Sequence, residues 1–315
     1  MLAEDRCAAT AARRGDAPEG TAITAHRFLL IEQEGGWGQD AITGSRFDPV
    51  LGRAIAQAGI PTRTRILMIR RPGRGIGDVP VWLLADTRPG REGIRTGSVG
   101  DGASLLDLVR EDAPTAGTIW DAPLFCVCTH GRHDSCCAIR GRPLAAALAT
   151  LEPESTWECS HVGGDRFAAN LLILPHGLTY GRVTAEHAAD VVDRYRRGLV
   201  EPALLRGRST FGPAVQAAQH HARAALGFEG VDGLAPRGVE QRDGAWTVAL
   251  ADPEGGQLMV TVRKVAAGPP VLLTCDARGP AAPPAWRLEA LVREPRRLGA
   301  LASDVVRAAP SARSH

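Results

Sequence analysis

Residues 126–137 read Cys-Val-Cys-Thr-His-Gly-Arg-His-Asp-Ser-Cys-Cys, and residues 157–167 read Trp-Glu-Cys-Ser-His-Val-Gly-Gly-Asp-Arg-Phe. Five of the seven cysteines fall between Cys126 and Cys159. Cys128 and Cys137 flank the first loop, and Cys159 and His161 alternate in the second segment. Two thiolates with an imidazole are ligands for zinc or an iron–sulfur cluster, not for magnesium or calcium. Gly163-Gly164 supplies the positive φ and close backbone approach that a loop around a metal centre needs.

The flanking elements explain how these groups could meet. Pro123–Cys128 reads as a buried strand and Cys137–Leu151 as a helix, so the first loop enters a helix start, where N–H groups and the dipole stabilise thiolates. Thr156–His161 reads as a strand with Cys159 and His161 on one face. Strands at Ala169–Leu174 and Leu178–Val183 follow, then a helix capped by Thr184 and running to Arg197, with Ala188, Val191, Val192 and Tyr195 at helical intervals. This β-α-β-β-β-α order predicts an α/β fold with a mixed sheet covered by helices over 119–200.

Residues 21–118 predict an α/β N-terminal half: a strand at His26–Gln33, a helix at Asp48–Ala58, strands at Thr64–Ile69 and Val79–Ala85 around the glycine-rich Pro72–Gly77, and a helix at Asp101–Glu111. Residues 1–20 are expected to form a mobile arm. Residues 201–315 are expected to hold a helix at Pro213–Leu226 and a small β-rich appendage with strands at Trp246–Ala251, Gln257–Val265, Val271–Thr274 and Trp286–Val292. The tail Ala300–His315 reads as helical, then frayed. No repeat of fixed period is visible.

Composition bounds the function. The chain has 315 residues, and 37 basic against 35 acidic side chains leave a net charge of +2. No global field favours nucleic acid or an anionic membrane surface. No segment approaches the roughly 18 consecutive apolar residues of a membrane span, and no signal peptide is visible, so a cytoplasmic protein is expected. A reducing cytoplasm disfavours stable disulfides. There is no G-x-S-x-G elbow, and no pair of carboxylates is marked for sugar hydrolysis. Gly73-Arg-Gly75-Ile-Gly77 lacks the lysine of a phosphate-binding loop.

The stretches CTHGRHDSCC, HVGGDRFAANLLILPHGLTYGRV and RFLLIEQEGGWGQDAI resemble the sucrase/ferredoxin-like family over about residues 20–200. The resemblance implies a thioredoxin-like ferredoxin fold holding a [2Fe–2S] cluster on a C-x8-C loop and an H-x-G-G-H loop. Cys128, Cys137 and His161 match that pattern. Asp165 stands where the second histidine would, which leaves the fourth ligand open among Asp165, Cys159 and Cys136. The implied activity is single-electron transfer with a redox partner protein or reductase, and nothing supports sucrose hydrolysis.

Two other readings compete. One is a cluster-free thiol oxidoreductase using Cys136-Cys137 or Cys128/Cys137, without a C-x-x-C motif. The other is a structural zinc site from Cys128, His130, Cys159 and His161. His130 and His133 are read as hydrogen-bonding groups, Cys7, Cys126 and Cys275 as structural thiols, His176 as a loop residue, and His220-His221 as a solvated helix face. Arg132, Arg140 and Arg166 are placed to offset the charge of a thiolate-bound cluster.

Overall fold

Four consecutive apolar residues, Phe28 to Ile31, mark a strand covered on both faces. They lie in β1 (Arg27–Glu32), every residue of which is buried in the computed structural model. The structure describes residues 6–74, 79–100 and 104–295. β1 pairs in parallel with β2 (Thr64–Arg70) and antiparallel with β3 (Val81–Asp86), which pairs with β4 (Gly93–Ser98). A short β5 (Thr118–Ile119) completes that edge. The helix α2 (Pro49–Ala58) makes the β1–β2 crossover and is started by Asp48, whose carboxylate accepts the Val50 and Leu51 N–H groups.

The second unit repeats this topology. β6 (Leu124–Cys128) pairs in parallel with β7 (Thr156–Cys159) across a helix, α4 (Ser135–Leu151), and antiparallel with β8 (Leu171–Leu174). β8 pairs with β9 (Leu178–Tyr180), and β10 (Leu205–Arg208) closes the edge. The strand orders β2-β1-β3-β4 and β7-β6-β8-β9 are equivalent. The units join where β2 meets β7 antiparallel, Ile69 opposite Cys159 and Arg70 opposite Glu158, so one ten-stranded mixed sheet runs through both.

Strand alternation sorts the core into layers. Phe125 and Val127 face Leu144 and Leu148 of α4 and Val191 and Val192 of α5 (Ala188–Arg196). Leu29 and Ile31 face Ile55 of α2 and Leu108 of α3 (Leu105–Arg110). Cys126 and Cys128 point the other way, into a layer with Phe28, Leu30, Trp157 and Cys159 that spans both units.

The helix expected at Pro213–Leu226 has those bounds and is α6. It packs on a separate antiparallel sheet of β11 (Pro236–Arg242), β12 (Ala245–Ala251), β13 (Gln257–Ala266) and β14 (Pro284–Glu294). β11 escaped the sequence reading because it is an exposed edge strand without apolar alternation. Val271–Thr274 contributes only a bridge from Val271 to Ala281. His221 is half-buried and bonds the Trp286 carbonyl, so the α6 face expected to be solvated is covered by the small sheet.

Within the expected arm, Cys7–Arg14 forms a helix, α1, that buries Cys7, Ala8 and Ala11 against the turn at Asp165–Phe167. A small-residue face suffices for this docking, and such a face carries little hydrophobic signal in a sequence. The tail Ala300–His315, residues 75–77 of the glycine-rich stretch and the start of the helix expected from Asp101 lie outside the described residues. Among the described residues, no helix is long and apolar enough to cross a membrane.

Candidate metal centre

β6 ends on Cys128, and the chain turns through Thr129–Asp134 before entering α4. Asp134 caps that helix by accepting the Cys136 N–H at 2.8 Å. Gly141 lets α4 close onto β6, since a Cβ there would meet the Cys128 carbonyl oxygen at 2.2 Å. Beyond β7, Gly163 and Gly164 adopt φ of 80° and 79° and return the chain to the turn that begins with Asp165. A side chain at Gly164 would also strike the guanidinium of Arg206.

These turns bring the ligand atoms of Cys128, Cys137 and His161 within 4.8 Å of one another, and likewise those of His133, His161 and Asp165. Asp165 links the two groups. Its Oδ1 accepts from Cys137 Sγ at 3.2 Å and lies 3.1 Å from His161 Nδ1. His161 Nδ1 is buried in this ion-pair contact yet has no aligned hydrogen-bond partner. Both thiols are 0 % exposed.

The groups tune one another. The hydrogen bond with Cys137 holds the Cys128 thiol well below its ordinary range, against burial, with His161 adding to the effect. Cys137, which keeps the proton of that pair, is pushed up by the same contact and by burial. Burial alone would lower His161, but Asp165 and Cys128 outweigh it and raise its pKa to about 9. Burial would raise Asp165, but the contact with His161 brings it below the ordinary carboxylate value. The shifts of Cys128, His161 and Asp165 all favour their charged forms beside one another, and a thiolate and a carboxylate are the forms that bind a metal cation.

The remaining candidates stand elsewhere. Cys159 pairs in register with Cys128 but lies in the apolar layer beside Cys126, outside the ligand groups, and burial raises its pKa. Cys136 turns away to Cys7, Cys275 and Asp134. His130 hydrogen-bonds as expected: Nδ1 accepts the His161 N–H at 3.3 Å, which leaves Nε2 to donate to the Gly38 carbonyl at 2.6 Å. His133, expected to be a hydrogen-bonding group, instead stacks its ring on His161 at 3.7 Å between centroids and approaches Asp165 at 4.0 Å. Its spacing in the loop gave no sign of this.

Arg206 was missed altogether. It is 1 % exposed, it lies in the field of Asp165 and Cys128, and burial lowers its pKa to about 10. Its segment, Leu205-Arg-Gly-Arg208, reads as polar and gave no sign of a buried strand. Of the arginines expected around the site, Arg166 is buried and paired with Asp16 at 3.4 Å, whereas Arg132 and Arg140 are exposed.

The donor set fits a [2Fe–2S] group. It offers two buried thiols, a buried imidazole nitrogen without a hydrogen-bond partner, and an adjoining carboxylate, donor types that would suit mixed sulfur and non-sulfur ligation. Comparison with curated proteins and with solved structures gives no match. A family model described as Sucrase/ferredoxin-like matches residues 18–207, well over half of the chain, which therefore belongs to the sucrase/ferredoxin-like family.

Proposed function

We propose that the protein transfers single electrons to or from a redox partner protein or reductase through a [2Fe–2S] cluster held by Cys128, Cys137, His161 and Asp165. The observation that carries this reading is the convergence of Cys128, Cys137 and His161, with Asp165 against both Cys137 and His161. When bound, the group supplies one-electron chemistry at a potential set by ligand type, hydrogen bonding and burial.

The chain's own residues do the rest. Cys128 and Cys137 exclude water by their burial and must give up their protons to bind. Arg206 and the N-terminus of α4 offset the negative charge of the thiolates. His161 and His133, with side chains 19 % and 36 % exposed, are the polar edge between the buried thiols and solvent, where a partner would approach. A cleft lined by Trp37, Arg70, Thr129, His130, Arg132 and Arg142 borders that edge; Arg70 is paired with Glu158, and the exposed Arg132 and Arg142 suit an acidic partner surface. The β-α-β-β-β strand order around the site supports the thioredoxin-like reading of its fold.

The competing readings lack such support. Cys128 and Cys137 are inaccessible to a substrate disulfide, which a thiol oxidoreductase must reach. Both His130 nitrogens are already engaged, so His130 has no lone pair for zinc. The test is the iron and acid-labile sulfide content of protein prepared without oxygen. About two of each per chain are expected for a [2Fe–2S] centre, and protein without iron overturns the reading.

A further inference from the structure

Cys7, Cys136 and Cys275 come from parts of the chain that the sequence keeps far apart: the start of α1, the first turn of α4 and the segment between β13 and β14. Their sulfur atoms form a triangle with each side 3.6 Å. Asp134 borders it, with Oδ2 3.6 Å and Oδ1 3.9 Å from Cys7 Sγ. All four residues offer ligand atoms within 4.8 Å of one another. Cys7, Cys136 and Asp134 are buried, and Cys275 is partly so.

We propose that Cys7, Cys136, Cys275 and Asp134 form a second metal site, distinct from the Cys128, Cys137 and His161 group, that binds one zinc ion through three thiolates and a carboxylate oxygen. Zinc–sulfur bonds of about 2.3 Å in a tetrahedron give sulfur–sulfur edges of about 3.8 Å, and a zinc–oxygen bond of about 2.0 Å gives a sulfur–oxygen edge of about 3.5 Å. The observed 3.6 Å spacings fall between those edges. A disulfide would draw two sulfurs to about 2.05 Å and leave the third alone, whereas this triangle has no favoured pair. Soft thiolates select zinc over magnesium and calcium.

Asp134 is held for the task from two sides. Its Oδ1 accepts the Cys136 N–H and its Oδ2 the Cys275 N–H, each at 2.8 Å, which orients the carboxylate and leaves a lone pair on each oxygen. A cleft lined by Cys7, Thr10, Arg14, Leu272 and Cys275 gives an entry path. On binding, each thiol releases its proton to solvent and three sulfur–zinc bonds form, with no change of oxidation state. The ion then staples α1 and the segment around Cys275 to the N-terminus of α4, one residue from Cys137. Binding free energy at such a site is folding free energy.

The test is the zinc and iron content of the full chain and its variants. About one zinc per chain is expected for a site of this kind. The double variant Cys128→Ser/Cys137→Ser should keep that zinc, whereas Cys7→Ser and Cys275→Ser should lose it and keep iron. Because the two sites share no ligand, absence of iron everywhere would sink the cluster reading and leave the zinc result readable. In case the Cys7 and Cys275 variants fail to fold, a thiol reagent applied to the wild-type chain reads the same site: Cys275 should be protected until a chelator removes zinc. Wild-type protein without zinc, zinc lost together with iron in the double variant, or Cys275 equally reactive before and after chelation each overturns the proposal.

Discussion

Arg206 Nη1 donates a 2.8 Å hydrogen bond to the Gly163 carbonyl, tying the edge strand β10 to the loop between His161 and Asp165. The same guanidinium bonds Asn170 Oδ1 at 2.8 Å and Thr21 Oγ1 at 3.1 Å, and Asn170 returns a bond to the Gly164 carbonyl. A fully buried arginine is therefore a scaffold of the ligand loop as well as a buried cation beside it.

Arg206→Met should destabilise the protein by about 1–3 kcal/mol for each buried acceptor left without a partner. It should also speed the loss of iron to a chelator, because the loop carrying His161 and Asp165 loses its anchor. Denaturant unfolding and chelation kinetics measure the two effects. Unchanged kinetics would separate Arg206 from the metal centre.

Replacing Cys128 or Cys137 by serine should abolish iron binding, since an alcohol cannot substitute for a thiolate on soft iron. Cys159→Ala should keep the iron, because that sulfur lies outside the ligand groups. Iron analysis of the three variants decides this, and retention by both serine variants would refute the ligand assignment.

Asp165→Ala should lose iron about as fully as Cys128→Ser, whereas Asp165→His should keep it and raise the reduction potential. Two-histidine ligation gives about −150 mV or above, against about −400 mV for all-cysteine plant-type centres. Voltammetry on the Asp165→His variant tests the sign. Full iron in Asp165→Ala would shift the fourth position to His133, which stacks on His161.

Stability should fall in mild acid through His176. Its Nδ1 lies 2.7 Å from the Tyr195 hydroxyl, and burial lowers its pKa below the ordinary 6.5. The unfolded chain then binds more protons than the folded one between the lowered value and 6.5, so stability rises with pH through that window. The contribution is complete above 6.5 and lost as the pH drops through the lowered value. Urea midpoints at about pH 7.5 and about pH 5.5 should differ less in His176→Gln than in the wild type; an equal difference would clear His176.

Gly141→Ala should weaken the centre without replacing a ligand. Its Cβ would lie 2.2 Å from the Cys128 carbonyl oxygen, so α4 must shift away from β6 and carry Cys137 with it. A destabilisation of about 1–3 kcal/mol is expected from such overpacking. Thermal unfolding measures it, and a wild-type melting temperature would show that the contact yields without cost.

The local elements were legible because their causes are local. Pro213 and the apolar spacing to Leu226 specify α6 within one stretch of chain. Likewise, the apolar runs at Phe28 and Phe125 specify buried strands. The duplicated topology was not legible: it resides in which strands pair, and β2 and β7 come together from stretches that share no repeated residue pattern.

The same division runs through the chemistry. The sequence by itself placed Cys128, Cys137 and His161 at the ends of elements that could bring them together. Only the tertiary structure decided the partners of Cys136 and Cys137. Adjacent residues on a helix point about 100° apart, so Cys137 faces Cys128 while Cys136 faces Cys7 and Cys275. Nothing in the local sequence foretells the second direction, because its partners arrive on α1 and on the segment between β13 and β14. Long-range docking of those two segments turns three scattered thiols into one cluster.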